Sequence, residues 1–241
     1  MSERGNGVPV VVALRGLRKT YGELVALDHL DLEVGRGECV ALIGHNGSGK
    51  TTTLRLAAGL LEPTDGTVTV AGVDVHAVDA HEARAALSFV PDSPLLYGDL
   101  TVREHLELIG LAHGVGADLD GHAERLLERL ELAERSDFLP GQLSRGMRQK
   151  TQLACALLRP FQVLMLDEPV VGLDPPSQQA LGELLAEVKG AGAAILLSTH
   201  QLAFSSALAD RAVVLHEGTV VAAGDYRSVV EGAEATRLGL R

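Results

Sequence analysis

The sequence predicts an α/β protein: a parallel sheet with helices on both faces, joined by an antiparallel β-subdomain and interrupted by an α-helical insert. Three observations carry this expectation. The apolar run Cys39 to Ile43 ends in a glycine-rich loop and passes into a helix-forming stretch. Two more apolar runs, in "VLMLDEP" and "AILLSTH", end in polar residues and are separated by the helical "PPSQQALGELLAEVKGAG". Between these parts, from about Leu100 to Arg159, the chain turns rich in Leu, Glu, Ala and Arg. Short continuous apolar strands alternating with helices belong in a parallel sheet covered on both faces, whereas the Leu- and Glu-rich stretch has the spacing of helices.

Taken in order, "VPVVVALRGLRKTYGELVALDHLDLEVGRGECVALIG" breaks into β-branched or alternating runs at "YGE" and "GRGE". That is turn chemistry, and it predicts antiparallel strands feeding one buried strand at Cys39 to Ile43. After the glycine loop, "TTTLRLAAGLL" has apolar residues at helical spacing and stops before the turn cluster "EPTDG". "VREHLELIGLAHG" and "HAERLLERLEL" supply the helical insert. The closing stretch "AVVLHEGTVVAAGDY" predicts a hairpin around Glu217 and Gly218, followed by a helix. The expected division is 1–92 for the β-subdomain and first part of the core, 93–160 for a coupling segment and the helical subdomain, 161–226 for the second part of the core, and 227–241 for a tail.

Composition narrows the function. With 241 residues, 46% of them hydrophobic, the chain can bury one large core or two unequal lobes. A net charge of −11 leaves no broad basic face, which argues against non-specific nucleic-acid binding and predicts no nucleic-acid partner. Cys39 and Cys155 sit in apolar surroundings far apart, as reduced core thiols of a cytoplasmic protein do. No apolar stretch nears the roughly 20 residues of a spanning helix, and "VPVVVAL" is too short for a signal sequence. Any role at a membrane would then pass through a partner.

Gly44, Gly49, Lys50 and Thr51 have the P-loop spacing: glycine, four residues, glycine, lysine, and serine or threonine. The glycines let consecutive N–H groups point inward at phosphate oxygens, at the positive end of the following helix. Lys50 reaches the β- and γ-phosphates, and the Thr51 hydroxyl ligates Mg²⁺. At the end of an apolar strand, Asp167 is suited to hold Mg²⁺ through water and Glu168 to accept a proton from an attacking water. In "LSRGMRQKTQLACALLRP", Ser144 and Gly146 stand where a loop becomes a helix. That is either a second anion-binding helix start or an ordinary N-cap.

The pieces run in the order glycine loop, helical insert, "LSRGMRQK", "VLMLDEP", "GLDP" and "STH". This resembles the ATP-binding cassette (ABC) family, specifically the nucleotide-binding subunit of a transporter, from about Val11 to Tyr226. The resemblance implies a RecA-like P-loop NTPase fold and ATP with Mg²⁺ as ligands. It implies that Gly44, Asn46, Gly47, Ser48, Gly49, Lys50, Thr51 and Thr52 hold the nucleotide, and that Tyr21 stacks on adenine in a chain with four Phe, three Tyr and no Trp. Glu168, Lys50 and His200 would be catalytic, His200 by bridging to the γ-phosphate. Ser144 and Gly146 would contact ATP bound to a second cassette subunit, identical or different, with Asp174 at the dimer seam. An integral membrane permease would be the further partner, placing the chain on the cytoplasmic face of the cell membrane.

Three residues depart from the family pattern. Asp92 stands where Gln is usual, Arg145 replaces a second glycine, and Met147 replaces the usual Gln. Asp92, one methylene shorter, would reach the metal through a water or pull the "VPDSP" segment inward, as a charged ligand in place of an amide, or else turn away and cap the turn before Pro94. The "S-x-G-M-R-Q" signature resembles that of exporters with separate membrane subunits. Two other readings stay open: a soluble member of the family, although no long coiled coil, zinc module or second cassette is present in the sequence, and a nucleotide-dependent switch that does not hydrolyse, against which Glu168 argues.

Overall fold

The computed structural model describes residues 8–240. Two long strands, β1 (Val10–Tyr21) and β2 (Leu24–Gly35), open the chain and lead to β3 (Cys39–Ile43) and α1 (Lys50–Ala57). Next come β4 (Asp65–Val70), β5 (Val73–Asp74), α2 (His81–Ala86) and β6 (Leu87–Val90). The helical insert follows as α3 (Val102–Ala112), α4 (Leu119–Arg129) and α5 (Arg145–Leu158). The chain returns to the sheet through β7 (Val163–Asp167), α6 (Pro175–Gly190), β8 (Ala194–Thr199) and α7 (Leu202–Ser206). It ends with β9 (Arg211–His216), β10 (Thr219–Asp225), α8 (Tyr226–Val230) and α9 (Ala233–Arg237).

Two sheets result. The antiparallel sheet has the order β2-β1-β4-β5, and the larger one the order β10-β9-β3-β8-β7-β6, parallel except for the edge strand β10. All five residues of β3 and of β7, and all six of β8, are buried, which is why these segments read as apolar runs, broken in β7 and β8 only by the polar residues at their ends. Their side chains alternate between faces. Val40, Leu42, Val163, Met165 and Leu196 pack with the antiparallel sheet and α1 in one core. Cys39, Leu164, Leu166, Ile195 and Leu197 pack with α3, α4, α5 and α6 in another, while Ala41, Ile43, Ala212 and Val214 take Tyr226 and Val229 of α8.

The strand and the hairpin expected from the sequence lie where the pattern puts them, at Cys39–Ile43 and around Glu217 and Gly218. Both cysteines are free and buried, and burial pushes each thiol up to about 12. The stretch from β4 to β6 has weaker signals: α2 has six residues and β6 only "LSFV", too short for either periodicity to show. No helix among the described residues is long and apolar enough to cross a membrane.

The sheet brings the functional loops together. In register, Ile43 of β3 pairs with Thr199 of β8, Ser198 of β8 with Asp167 of β7, and Leu166 of β7 with Val90 of β6. Four parallel strands therefore end side by side, and the loops carrying Gly44 to Lys50, Glu168, His200 and Asp92 leave from one edge. This is the edge at which open parallel sheets bind ligands.

Candidate functional site

The loop from Gly44 to Lys50 is built around close approach. A Cβ at Gly44 would stand 2.3 Å from the Leu215 carbonyl oxygen and 2.5 Å from Ser48 Oγ, so no larger residue fits. Gly49, at φ 107°, makes the turn into α1 in a conformation that side chains disfavour. Lys50 is 5% exposed. Its Nζ donates to the carbonyls of Gly44 at 2.7 Å and His45 at 3.2 Å, and lies 3.7 Å from Glu168 Oε1.

Two carboxylates stand at the end of β7, and Glu168 is the one that approaches this ammonium. Asp167 is wholly buried, and Ser198 Oγ donates to its Oδ1 at 2.5 Å while Oδ2 makes no hydrogen bond. Burial pushes the Asp167 carboxyl above the usual range. The Ser198 and nearby Thr51 hydroxyls pull it back, and the charges of Asp92 and Glu168 push it further up. Glu168 sits at φ 47°, a left-handed backbone that only a well-held residue keeps. Its N–H donates to the Ser198 carbonyl at 3.1 Å and lies 3.0 Å from Ser198 Oγ. Its Oε2 accepts from His200 Nδ1 at 2.8 Å, and its Oε1 is buried without a hydrogen bond. With Nδ1 as donor to a carboxylate, a neutral His200 ring keeps its lone pair on Nε2.

In front of these groups opens a cleft of about 850 Å³ lined by Tyr21, Leu24, Val25, Ala26, residues 46–52, Asp92, Glu168 and Glu217. Tyr21 ends β1 with half its surface exposed, and Lys19 Nζ stands 5.1 Å from its ring centroid. Asp92 is partly exposed, with Arg55 4.0 Å away. The hydroxyl of Thr51, the orphaned Oδ2 of Asp167 and the carboxylate of Asp92 form a set of hard oxygen donors, which fits Mg²⁺.

Ser144, Gly146 and Asp174 are not among the residues lining this cleft. Ser144 caps α5, its Oγ accepting from Met147 N at 3.2 Å, and Asp174 caps α6 through the N–H and hydroxyl of Ser177. Gly146 touches the "GLDP" loop: a Cβ there would lie 2.5 Å from the Gly172 carbonyl oxygen. Ser144 and Asp174 are exposed and Gly146 is half-buried, and each has a local structural reason for its place. Two parts of the site were outside the sequence reading. Ser198, which joins both carboxylates, stands in "STH" two residues before His200, and its role appears only in the register of β8 against β7. The β2 wall of Leu24, Val25 and Ala26 has no signal short of the tertiary fold.

A model of the ABC transporter family matches residues 27–171. The chain is 34% identical to the ABC-type transporter ATP-binding protein EcsA of Bacillus subtilis, over 92% of this chain and 90% of that protein. It is 36% identical to the Nod factor export ATP-binding protein I of Sinorhizobium fredii over 92% of this chain, and spans 65% of that relative's length. Among solved structures, the ATP-binding subunit of an ABC transporter superimposes with a TM-score of 0.84 at 36% identity, covering 96% of this chain and 94% of the other.

The raised Asp167 carboxyl has a stability consequence. Because its folded pKa lies above the unfolded value of about 3.9, the group costs nothing below that value and becomes destabilising as pH rises through the folded pKa. Without ligand, Asp167→Asn should therefore melt higher than the parent at pH 7.5. The gain should vanish near pH 4. Thermal melts at the two pH values check this, and an unchanged or lower midpoint at pH 7.5 contradicts it.

Proposed function

The chain belongs to the ABC transporter family, as an ATP-binding subunit that hydrolyses ATP, and from that premise we propose how its residues act and what they drive. ATP lies along the cleft with adenine on the Tyr21 ring and the triphosphate in the loop from Gly44 to Thr52. There the loop N–H groups and the start of α1 face the phosphate oxygens. Lys50 exchanges the carbonyls of its own loop for the β- and γ-phosphate oxygens. Thr51, Asp167 and Asp92 hold Mg²⁺, which when bound neutralises charge on those oxygens.

Hydrolysis falls to Glu168. The oxygen of a water attacks the γ-phosphorus, its proton passes to Glu168, and the bond to the β-phosphate oxygen breaks to leave ADP and phosphate. The Oε1 atom, buried and without a hydrogen bond, is the free acceptor for that proton. His200 holds the other oxygen and so fixes the carboxylate's direction. The single observation that carries this reading is the meeting of Lys50, Asp167 and Glu168 at one sheet edge.

Ser144, Gly146 and Asp174 serve a second copy or a related cassette. Two subunits close head to tail around two ATP molecules, each held by the P-loop of one and the start of α5 of the other. The driven partner is an integral membrane subunit, on which this chain docks from the cytoplasmic side. Its docking place is a groove of about 490 Å³ between the segment after β6 and α3, where Leu95 and Tyr97 expose 79% and 64% of their surface. The relative named for Nod factor export favours export.

Replacing the base tests both halves. Glu168→Gln should keep ATP binding, lower turnover by roughly 10²-fold or more, and trap a dimer in ATP and Mg²⁺ visible by sedimentation velocity. Adding Ser144→Arg should return that protein to monomer without loss of ATP binding. A Glu168→Gln protein that hydrolyses normally and stays monomeric contradicts the base and the sandwich together. Lost ATP binding in the Ser144→Arg protein would make Ser144 an intrasubunit cap and nothing more.

A further inference from the structure

We propose that Glu217 reads the sugar of the nucleotide: its carboxylate accepts the ribose hydroxyls and makes the cleft selective for ribonucleotides over 2′-deoxyribonucleotides. The inference rests on the reading that this cleft takes ATP.

Position comes first. Tyr21 pairs with Leu24 across the β1–β2 hairpin, which sets Leu24 at the base end of the cleft. Two residues on, the Ala26 carbonyl oxygen lies 3.0 Å from where a Cβ would stand on Gly49, at the phosphate end. The step from Leu24 to Ala26 is about 7 Å at ordinary strand rise, close to the width of a furanose. Gly218 meets the same Ala26 carbonyl, with a Cβ-to-oxygen distance of 3.0 Å. Glu217, directly before it, lines the cleft at this seam. The neighbouring wall residues Leu24, Val25 and Ala26 are apolar, so Glu217 is the side chain on this stretch that can hydrogen-bond a sugar.

The turn is both strained and pinned. Glu217 and Gly218 form the two-residue connection from β9 to β10, at φ 47° and 76°. Tight turns with two positive φ values favour Asn, Asp or Gly, and a glutamate has no conformational reason to be first. The turn does not relax, because Gly218 N donates to the Ser48 carbonyl at 3.1 Å and Asp28 N donates to the Gly218 carbonyl at 2.8 Å. One side of the turn is thus fixed to the P-loop and the other to β2. The backbone under Glu217 is held in place there, and its exposed carboxylate makes no ion pair or hydrogen bond of its own among the described residues.

Chemistry selects the ligand group. A carboxylate beside a triphosphate is repelled unless it gains donors, and between base and phosphates the donors are the vicinal hydroxyls of the ribose. An ionised carboxylate accepts two O–H groups at once, the same device by which an acidic residue binds the ribose in dinucleotide folds. Loss of one hydroxyl leaves an acceptor unmatched, and for an exposed group this corresponds to roughly three- to tenfold in affinity.

Calorimetric titration with ATP and with 2′-deoxy-ATP, in EDTA so that no hydrolysis occurs, tests the assignment. The parent chain should bind ATP roughly three- to tenfold more tightly. Glu217→Gly should bring the two affinities within about twofold while melting no lower than the parent, since glycine suits the left-handed turn. Glu217→Gln, with one amide oxygen, should fall between. Equal binding of the two nucleotides by the parent overturns the inference, as does full discrimination in Glu217→Gly. Should the parent bind neither nucleotide, the reading of the cleft fails too, whereas ATP binding without discrimination sinks the ribose assignment alone.

Discussion

A buried ammonium organises this molecule. Lys50 is 5% exposed, and it is balanced by two carbonyls of its own loop and by Glu168, which follows a strand two places away in the sheet. An isolated charge at such depth would cost several kcal/mol even after relaxation. The tight fit at Gly44 and the left-handed turn at Gly49 bring carbonyl dipoles to that charge. The parallel register of β3, β8 and β7 then brings the carboxylates.

The same arrangement leaves polar atoms in a state that a ligand improves. Asp167 Oδ2, Glu168 Oε1 and Ser48 Oγ are buried and make no hydrogen bond. Buried polar atoms are otherwise almost always satisfied, so three unmatched oxygens at and beside one cleft mark a place where donors or a cation are favoured. Ser198 supplies one donor, to Asp167, while its own hydroxyl and carbonyl oxygens face the Glu168 N–H. Stability and function therefore pull apart here: a buried carboxylate such as Asp167 costs the fold and is well placed beside a cation.

Much of this was legible in the sequence, for a physical reason. The glycine loop and the carboxylates after "VLML" work through local spacing, and an all-apolar strand announces both its burial and its parallel neighbours. What depends on register between distant segments did not show. The wall of Leu24, Val25 and Ala26 becomes a wall only when β2 lies against Gly49, and Glu217 reads as a turn residue until Gly218 is seen between Ser48 and Asp28. Ser144 and Asp174 show the opposite limit. Each caps a helix, so the same residue type serves a local role within one chain and is available to a second, and one chain's geometry accounts only for the first.

The central claim is that the Lys50 charge is held ready for phosphate rather than kept for the fold. The most direct measurement is the ATP dissociation constant of Lys50→Met, which removes the ammonium but keeps the length of the side chain, alongside its melting temperature. The account predicts affinity weakened at least about tenfold, as for loss of a charge-assisted contact, with the fold retained. Undiminished ATP affinity in a folded Lys50→Met protein would contradict it.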